Sequence, residues 1–258
     1  MKFPLIQISI LGSIMFCLLI IGCKGGNTAK SSVQVEQSGR VDTTLVEIDK
    51  KYTGIVADAA INVVMSDSVK LLLIMTDTAV RPYVTATVEG GELRLGYKAG
   101  TSINGNFAGT TIWVPYDASV KSVTLNGASS FRSQHPLVGS RFQMSLGGAS
   151  RAVCYFDMPD GDLVLSLNGA SALRAVGCVG NLMAEINGAS KLVSDEENGQ
   201  YTFSVSNAEL EVNGVSEVQL HSTGRLSGSV NGVSQLSYTG QPKQKMSSNG
   251  LSRVKRKG

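Results

Sequence analysis

Apolar and polar residues alternate with a period of two along most of the chain, and from residue 119 onward the alternation keeps one phase relative to a recurring four-residue unit. The unit is Asn-Gly-Ala-Ser or Asn-Gly-Val-Ser, beginning at Asn126, Asn168, Asn187, Asn213 and Asn231. A Gly-headed copy begins at Gly147, and an Asn-Gly-Leu-Ser copy at Asn249. The residue before each unit is Leu125, Leu146, Leu167, Ile186, Val212, Val230 or Ser248, and two positions earlier stand Val123, Met144, Leu165, Ala184, Leu210, Gly228 and Met246. One apolar phase at period two predicts a strand with one buried face running into each unit.

Gly occupies the second position of all seven copies, which predicts a bend that needs positive φ or close backbone approach. The next column, Ala128, Ala149, Ala170, Ala189, Val215, Val233 and Leu251, is small or apolar and is expected to point inward at a tight corner. Ser closes every copy, and two residues later Phe131, Ala152, Leu173, Leu192, Val218, Leu236 and Val254 resume the apolar column. The step of three from the small residue to that column breaks the register, so a second turn is expected beside the Ser. Each repeat then reads as short strand, corner, short strand, loop.

Successive units are 21, 21, 19, 26, 18 and 18 residues apart. A near-constant period of this size is the signature of a solenoid that adds one coil per repeat. Asn-Gly between alternating strands is also a hairpin signal, but these steps are too long for one hairpin arm and the apolar phase never changes. The reading is a parallel β-helix, all-β. Stacked coils lie ~4.8 Å apart, so Asn126, Asn168, Asn187, Asn213, Asn231 and Asn249 are expected to pass amide hydrogen bonds from coil to coil as a structural ladder. A corner must satisfy its polar groups whatever the function, so the Asn and Ser columns read as scaffold.

Before the repeats, residues 44–48, 54–57, 61–65, 70–75, 83–88 and 92–97 read as strands, with Gly90-Gly91 as a hairpin turn. They are expected to form irregular first coils, or a small sheet that caps the unpaired end of the helix. Residues 101–109 are rich in Gly and Asn and read as a loop.

The repeated Asn-Gly-Ala-Ser units, preceded by Thr-Ile-Trp-Val-Pro at 111–115 and Ser-Val-Lys-Ser-Val-Thr-Leu-Asn-Gly at 119–127, resemble the putative autotransporter adhesin head GIN domain family. The resemblance covers roughly residues 44–254. It implies a right-handed parallel β-helix and a lipoprotein or secreted protein of the kind common in the Bacteroides group. It brings no catalytic residues. Gly147 departs from the Asn column and Ser248 from the apolar column.

Residues 1–22 read as a targeting segment: Lys2 supplies the positive end, an apolar run of about 17 residues follows, and Ile20-Ile21-Gly22 precedes Cys23. This is similar to a bacterial lipobox, with Cys23 as the lipidated residue and a lipid anchor in the membrane as the implied attachment. Residues 23–43 are polar and poor in aromatics, which predicts a flexible tether, leaving 44–258 as a single β-helix domain with regular repeats over 119–258. Bacteroides-type lipoproteins bound for the outer surface tend to carry acidic residues after the Cys. Here Lys24, Gly25 and Gly26 stand there instead, which favours a periplasm-facing position on the outer membrane over surface display.

Composition agrees: 258 residues with 29 Gly, one Trp and a formal charge of +3, which is +2 without Lys2. Such a balance gives no field for nucleic acid. Arg253, Lys255, Arg256 and Lys257 cluster near the end, as edge protection for the last coil or, alternatively, as a contact for anionic lipopolysaccharide, lipid or peptidoglycan. Cys154 and Cys178 fall at different repeat positions and read as two buried thiols.

Candidate chemistry is sparse. The two histidines, His135 and His221, lie several repeats apart, which leaves no material for a catalytic triad or a histidine metal site. Asp157 to Asp162 resembles a calcium loop but lacks its alternate spacing and terminal Glu, so it reads as a turn. Asp195-Glu196-Glu197 reads as a solvated loop tip leading to Asn198-Gly199, and the acids of the repeat region are expected in scattered loops. No catalytic residue, cofactor or metal is expected. The function expected is a non-enzymatic envelope lipoprotein that binds a protein or glycan partner for adhesion or scaffolding. The alternative is a carbohydrate-active or polysaccharide-binding β-helix, which would need paired carboxylates on one face and aromatic platforms for sugars.

Overall fold

The computed structural model describes residues 32–105 and 109–257. The targeting segment, Cys23 and residues 23–31 of the expected tether lie outside the described residues. The rest is all-β apart from one 3-10 turn at Arg81–Tyr83. Strands pair in parallel with the equivalent strands one repeat before and after them. One column of nine runs Glu92–Tyr97, Gly54–Ala57, Ser122–Leu125, Arg141–Leu146, then the equivalent stretches 162–167, 181–186, 207–212, 225–230 and finally Lys243–Ser248. At ~4.8 Å per step the column is about 40 Å long. A second column lies beyond the corners and runs from Thr110–Pro115 and Ile61–Ser66 through Ser130–Ser133 to Gln235–Thr239 and Arg253–Arg256.

The registers place the predicted apolar columns inward. Val123, Met144, Leu165 and Leu210 are buried, as are Leu125, Leu146, Leu167, Ile186, Val212 and Val230. Phe131, Phe142, Phe156 and Phe203 are fully buried, and the last three pack in T-shaped and tilted contacts with ring centroids 6.2 Å and 5.9 Å apart. Each buried aromatic removes a large apolar area from water, so the middle turns are held by their contents as well as by their ladders.

Several expectations are corrected. The loop expected in each repeat is absent from the central turns, where Arg151–Leu167 and Ala172–Ile186 are unbroken strands. Neighbouring turns of nearly equal length pair almost residue for residue, so little chain is left over to loop out. The turn expected at 157–162 is a register shift inside a strand, between Met158 and Asp162. Where the step grows to 26 residues, the extra length leaves the stack as a small antiparallel hairpin, Glu196–Glu197 against Gln200–Tyr201, turning at Asn198 and Gly199 with φ of 51° and 78°. Part of the expected tether is also ordered. Val33–Glu36 pairs with Thr101–Asn104, inside the stretch expected to be a loop, and Val41–Val46 pairs with Leu72–Asp77. Asp77 fixes this segment by accepting from the N–H groups of Ser38 at 3.1 Å and Gly39 at 2.8 Å.

The first turns are both irregular coils and a cap. Residues 54–66 stack directly under the first regular repeat, but the turn below them comes later in sequence, at 92–115. The intervening chain returns through Leu72–Asp77 and Val84–Glu89, which pair antiparallel to Thr110–Pro115 and Glu92–Tyr97 and cover that end. The Gly90-Gly91 hairpin turn is present, at φ of 60° and 81°.

Candidate binding surface

The corner that joins the two columns is the most repetitive part of the surface. Its backbone ladder does not break. The N–H of Ala189 donates to the Gly169 carbonyl at 2.7 Å, that of Val215 to Gly188 at 2.7 Å, and that of Val233 to Gly214 at 2.8 Å. Each corner Gly has positive φ, +81° at Gly188 for example, and a Cβ there would stand 2.4 Å from the Gly169 oxygen. Positive φ and a crowded carbonyl from the turn below both demand glycine.

Such a corner reverses the inward orientation expected of the residue after the Gly. The small column points outward: Ala128, Ala149, Ala170 and Ala189 are exposed, and Val215, Val233 and Leu251 are 63%, 56% and 78% exposed. Inward stands the Ser column, with Ser129, Ser150, Ser171, Ser190, Ser216 and Ser234 buried. The polar atom is tolerated inside because it closes the turn. Ser190 Oγ donates to the Asn187 carbonyl at 2.8 Å and Ser216 Oγ to the Asn213 carbonyl at 2.9 Å, satisfying groups that would otherwise be orphaned.

The Asn side chains line the outer edge of the corner. Asn187 Nδ2 donates to Asn168 Oδ1 at 3.1 Å, Asn213 to Asn187 at 3.0 Å, Asn231 to Asn213 at 2.8 Å and Asn249 to Asn231 at 2.8 Å. Asn126 does not join this row. Gly147 supplies no amide between it and Asn168, and Asn126 Nδ2 donates instead to Asp58 Oδ1 at 2.8 Å. A second row went unread in the sequence: Asn181 donates to Asp162 at 2.9 Å and Asn207 to Asn181 at 3.0 Å. Its members stand six residues before Asn168, Asn187 and Asn213, a column that lining up the repeats would have exposed.

Charge is segregated along the stack. Asp162, Glu185, Glu209 and Glu211 project from one face of adjacent turns, and Glu185 is in register with Glu211. These four acids therefore share a face rather than scattering in loops, because outward positions recur at every second residue of each strand, whereas Asp195, Glu196 and Glu197 do lie at the hairpin that leaves the stack. Glu185, Glu209 and Glu211 are exposed, and Glu209 lines an open groove of about 300 Å³ together with Asp162, Met183 and Arg225. After Glu217 the sign reverses, and Val218 to Gly258 carries seven basic residues and no acidic one. Lys257 is bound to Glu196 of the hairpin, which holds its ammonium pKa above the usual value; Arg174 is paired with Asp195.

The remaining candidates are engaged elsewhere. His135 Nε2 contacts Asp67 at 2.9 Å and His221 Nδ1 contacts Thr239 Oγ1 at 3.0 Å. Cys154 is buried and Cys178 half-buried, and the pairing of Cys154 with Ala175 and of Asp157 with Cys178 puts the two thiols three positions out of register. Burial pushes the Cys154 thiol up, so it stays protonated and unreactive. Among the described residues no three His, Cys, Asp or Glu side chains are grouped to hold a metal ion.

The fold has solved relatives. A putative adhesin from Bacteroides fragilis superposes with a TM-score of 0.74 at 16% identity, covering 86% of this chain and 99% of its own. A putative adhesin from Parabacteroides merdae gives 0.64 at 19% identity, covering 87% and 99%. A protein described as a putative lipid binding protein, from Parabacteroides distasonis, gives 0.63 at 16% identity, covering 88% and 100%. No curated protein matches the sequence. The family model described as putative auto-transporter adhesin, head GIN domain, matches residues 51–242, and the chain belongs to that family.

Proposed function

We propose that the protein is a non-enzymatic cell-envelope lipoprotein, a right-handed parallel β-helix anchored through lipid on Cys23 at the outer membrane, whose long side binds an envelope or host partner for adhesion or scaffolding. The observation that supports this most is the uninterrupted outward surface. Every turn contributes the same few outward positions at the same spacing, so the fold presents a ruled face about 40 Å long rather than a cleft. Membership of an adhesin-type family agrees with an adhesion module at the cell envelope or surface.

A carbohydrate-active β-helix is the second reading, and the shared face of Glu185, Glu209 and Glu211 is what favours it. Glycoside chemistry needs one carboxyl held protonated by its surroundings, and three exposed carboxylates in water do not provide that.

The anchor is tested with Cys23→Ala, which is expected to leave the precursor uncleaved and to abolish labelling by a palmitate analogue; undiminished labelling would remove the lipoprotein reading. The binding role is tested by envelope pull-down and glycan arrays with the chain from Ser32. Saturable release of unsaturated sugars from pectin or alginate, lost in Glu209→Gln, would replace the adhesion reading by the enzymatic one.

A further inference from the structure

The outward corner column changes character along the stack. In four turns it is Ala, and in the last three it becomes Val215, Val233 and Leu251. Nothing in the corner requires the change. The column faces solvent, and an Ala there makes the same backbone bond to the turn below. The larger side chains add only exposed apolar surface, and Val233 and Leu251 add it where the charge is most positive. Because Val233 N–H donates to Gly214 and Leu251 N–H to Gly232, both at 2.8 Å, the three side chains stand on adjacent turns, ~4.8 Å apart, as one ridge.

Val215 still has Glu211 and Glu217 beside it, but around Val233 and Leu251 the charged residues of both columns are cations. Arg225, Lys243 and Lys245 precede the corner on the first column, and Arg253, Lys255 and Arg256 follow it on the second. All six are exposed, and none has a carboxylate within 4.0 Å among the described residues. Between the last two turns a groove of about 440 Å³ is lined by Val233, Gln235, Leu251 and Arg253, so aliphatic surface and a guanidinium open onto the same space.

We propose that the end of this corner docks on an anionic lipid surface, with Val233 and Leu251 entering the boundary between headgroups and acyl chains and the flanking Lys and Arg side chains binding the lipid phosphates. Basic residues around an aliphatic ridge are the composition of interfacial membrane contacts. Long Lys and Arg stems let the charges reach the headgroup plane from both strands. A soluble polyanion would be held by the cations alone and would gain nothing from an exposed Leu beside them. The contact is independent of any lipid on Cys23 and of the adhesion reading.

The test uses the chain from Ser32, which is one compact unit with its own core and lacks Cys23. Binding is measured by flotation with vesicles of phosphatidylcholine alone or mixed with phosphatidylglycerol. The expected result is binding only to the mixed vesicles, weakening as salt is raised. Lys243→Gln with Lys245→Gln is expected to weaken it at least tenfold, at roughly fivefold per charge. Leu251→Ser with Val233→Ser is expected to weaken it about tenfold while leaving retention on a heparin column unchanged. Ala149→Ser serves as a control without effect, and the thermal midpoints of all variants should stay near wild type because every site is exposed. Two results would overturn the proposal. One is equal binding to both kinds of vesicle, or to neither. The other is vesicle binding that survives loss of the ridge and is competed away by soluble polyanion, which would make the corner a polymer site.

Discussion

A single methyl group placed at Gly188 tests whether the corner is fixed by contact between turns or only by backbone conformation. At φ +81° an alanine costs about 1 kcal/mol in the left-handed region. Its Cβ would also lie 2.4 Å from the Gly169 carbonyl oxygen, far inside any real contact, so one turn must move. That oxygen accepts the Ala189 N–H at 2.7 Å, and displacing it strains the ladder as well. Overpacking of this kind adds about 1–3 kcal/mol, so Gly188→Ala is expected to cost about 2–4 kcal/mol in all. Gly90 provides the control. It has φ +60° and nothing within 4 Å of the place a methyl would take, so Gly90→Ala should cost about 1 kcal/mol. The reverse change is available at Ala59, which takes the corner position with φ +66° above a turn that has no corner of its own. Ala59→Gly is expected to be neutral or stabilising. Urea denaturation followed by circular dichroism gives all three values, with a common m-value as the check that the unfolding reaction is unchanged. Equal losses at Gly188 and Gly90, within about 0.5 kcal/mol, would refute the inter-turn account.

Two further predictions concern polar groups. Asn187 donates to Asn168 and accepts from Asn213, whereas Asn249 bonds only to Asn231. Because the row is on the surface, Asn187→Leu should cost about 0.5–1.5 kcal/mol and Asn249→Leu clearly less; equal midpoints for the two variants would argue that the row contributes nothing. Burial alone would raise the pKa of Asp77, but the N–H groups of Ser38, Ala79 and Gly39 and the Ser38 hydroxyl outweigh it and hold the carboxyl below its usual value. A depressed folded pKa contributes stability that is present above the unfolded value, near 4, and lost as pH falls through the folded one. Protection of the Val41–Val46 amides, measured as exchange relative to the intrinsic rate at each pH, should therefore fall below about pH 4 in wild type and much less in Asp77→Asn; parallel acid profiles would count against this role.

What the sequence could show depended on how closely a turn kept its motif. The seven regular corners were readable because Gly recurs in all of them and the apolar phase is fixed. The corner of the turn at 54–66 was not, although its two strands were read and stack in register, because Asp58, Ala59, Ala60 and Ile61 stand where the other turns have Asn-Gly-Ala-Ser. Each substitution keeps the physics and loses the signature. Asp58 still accepts from Asn126, Ala59 still takes positive φ, and Ile61 fills the buried Ser position without needing a carbonyl partner. The small column of the corner was read as inward because a period-two reading cannot be carried across a left-handed glycine, which rotates the following side chains out of phase. The order of the first two turns could not be read at all, since either order pairs the same apolar strands.

The division between fixed and free positions explains why the fold was more legible than the function. Stacking determines the inward columns, the corner Gly and the buried Ser, because each is bounded by the identical position of the next turn. The outward positions face water and carry no such constraint, so their residues vary from turn to turn and no motif marks them. Yet they are not random: acids gather in the middle turns and cations in the last two, where the corner carries Val233 and Leu251 in place of alanine. Residues that the scaffold does not need, segregated by charge along its axis, are where selectivity for a partner must reside. The repeat supplies only the spacing at which a partner is read.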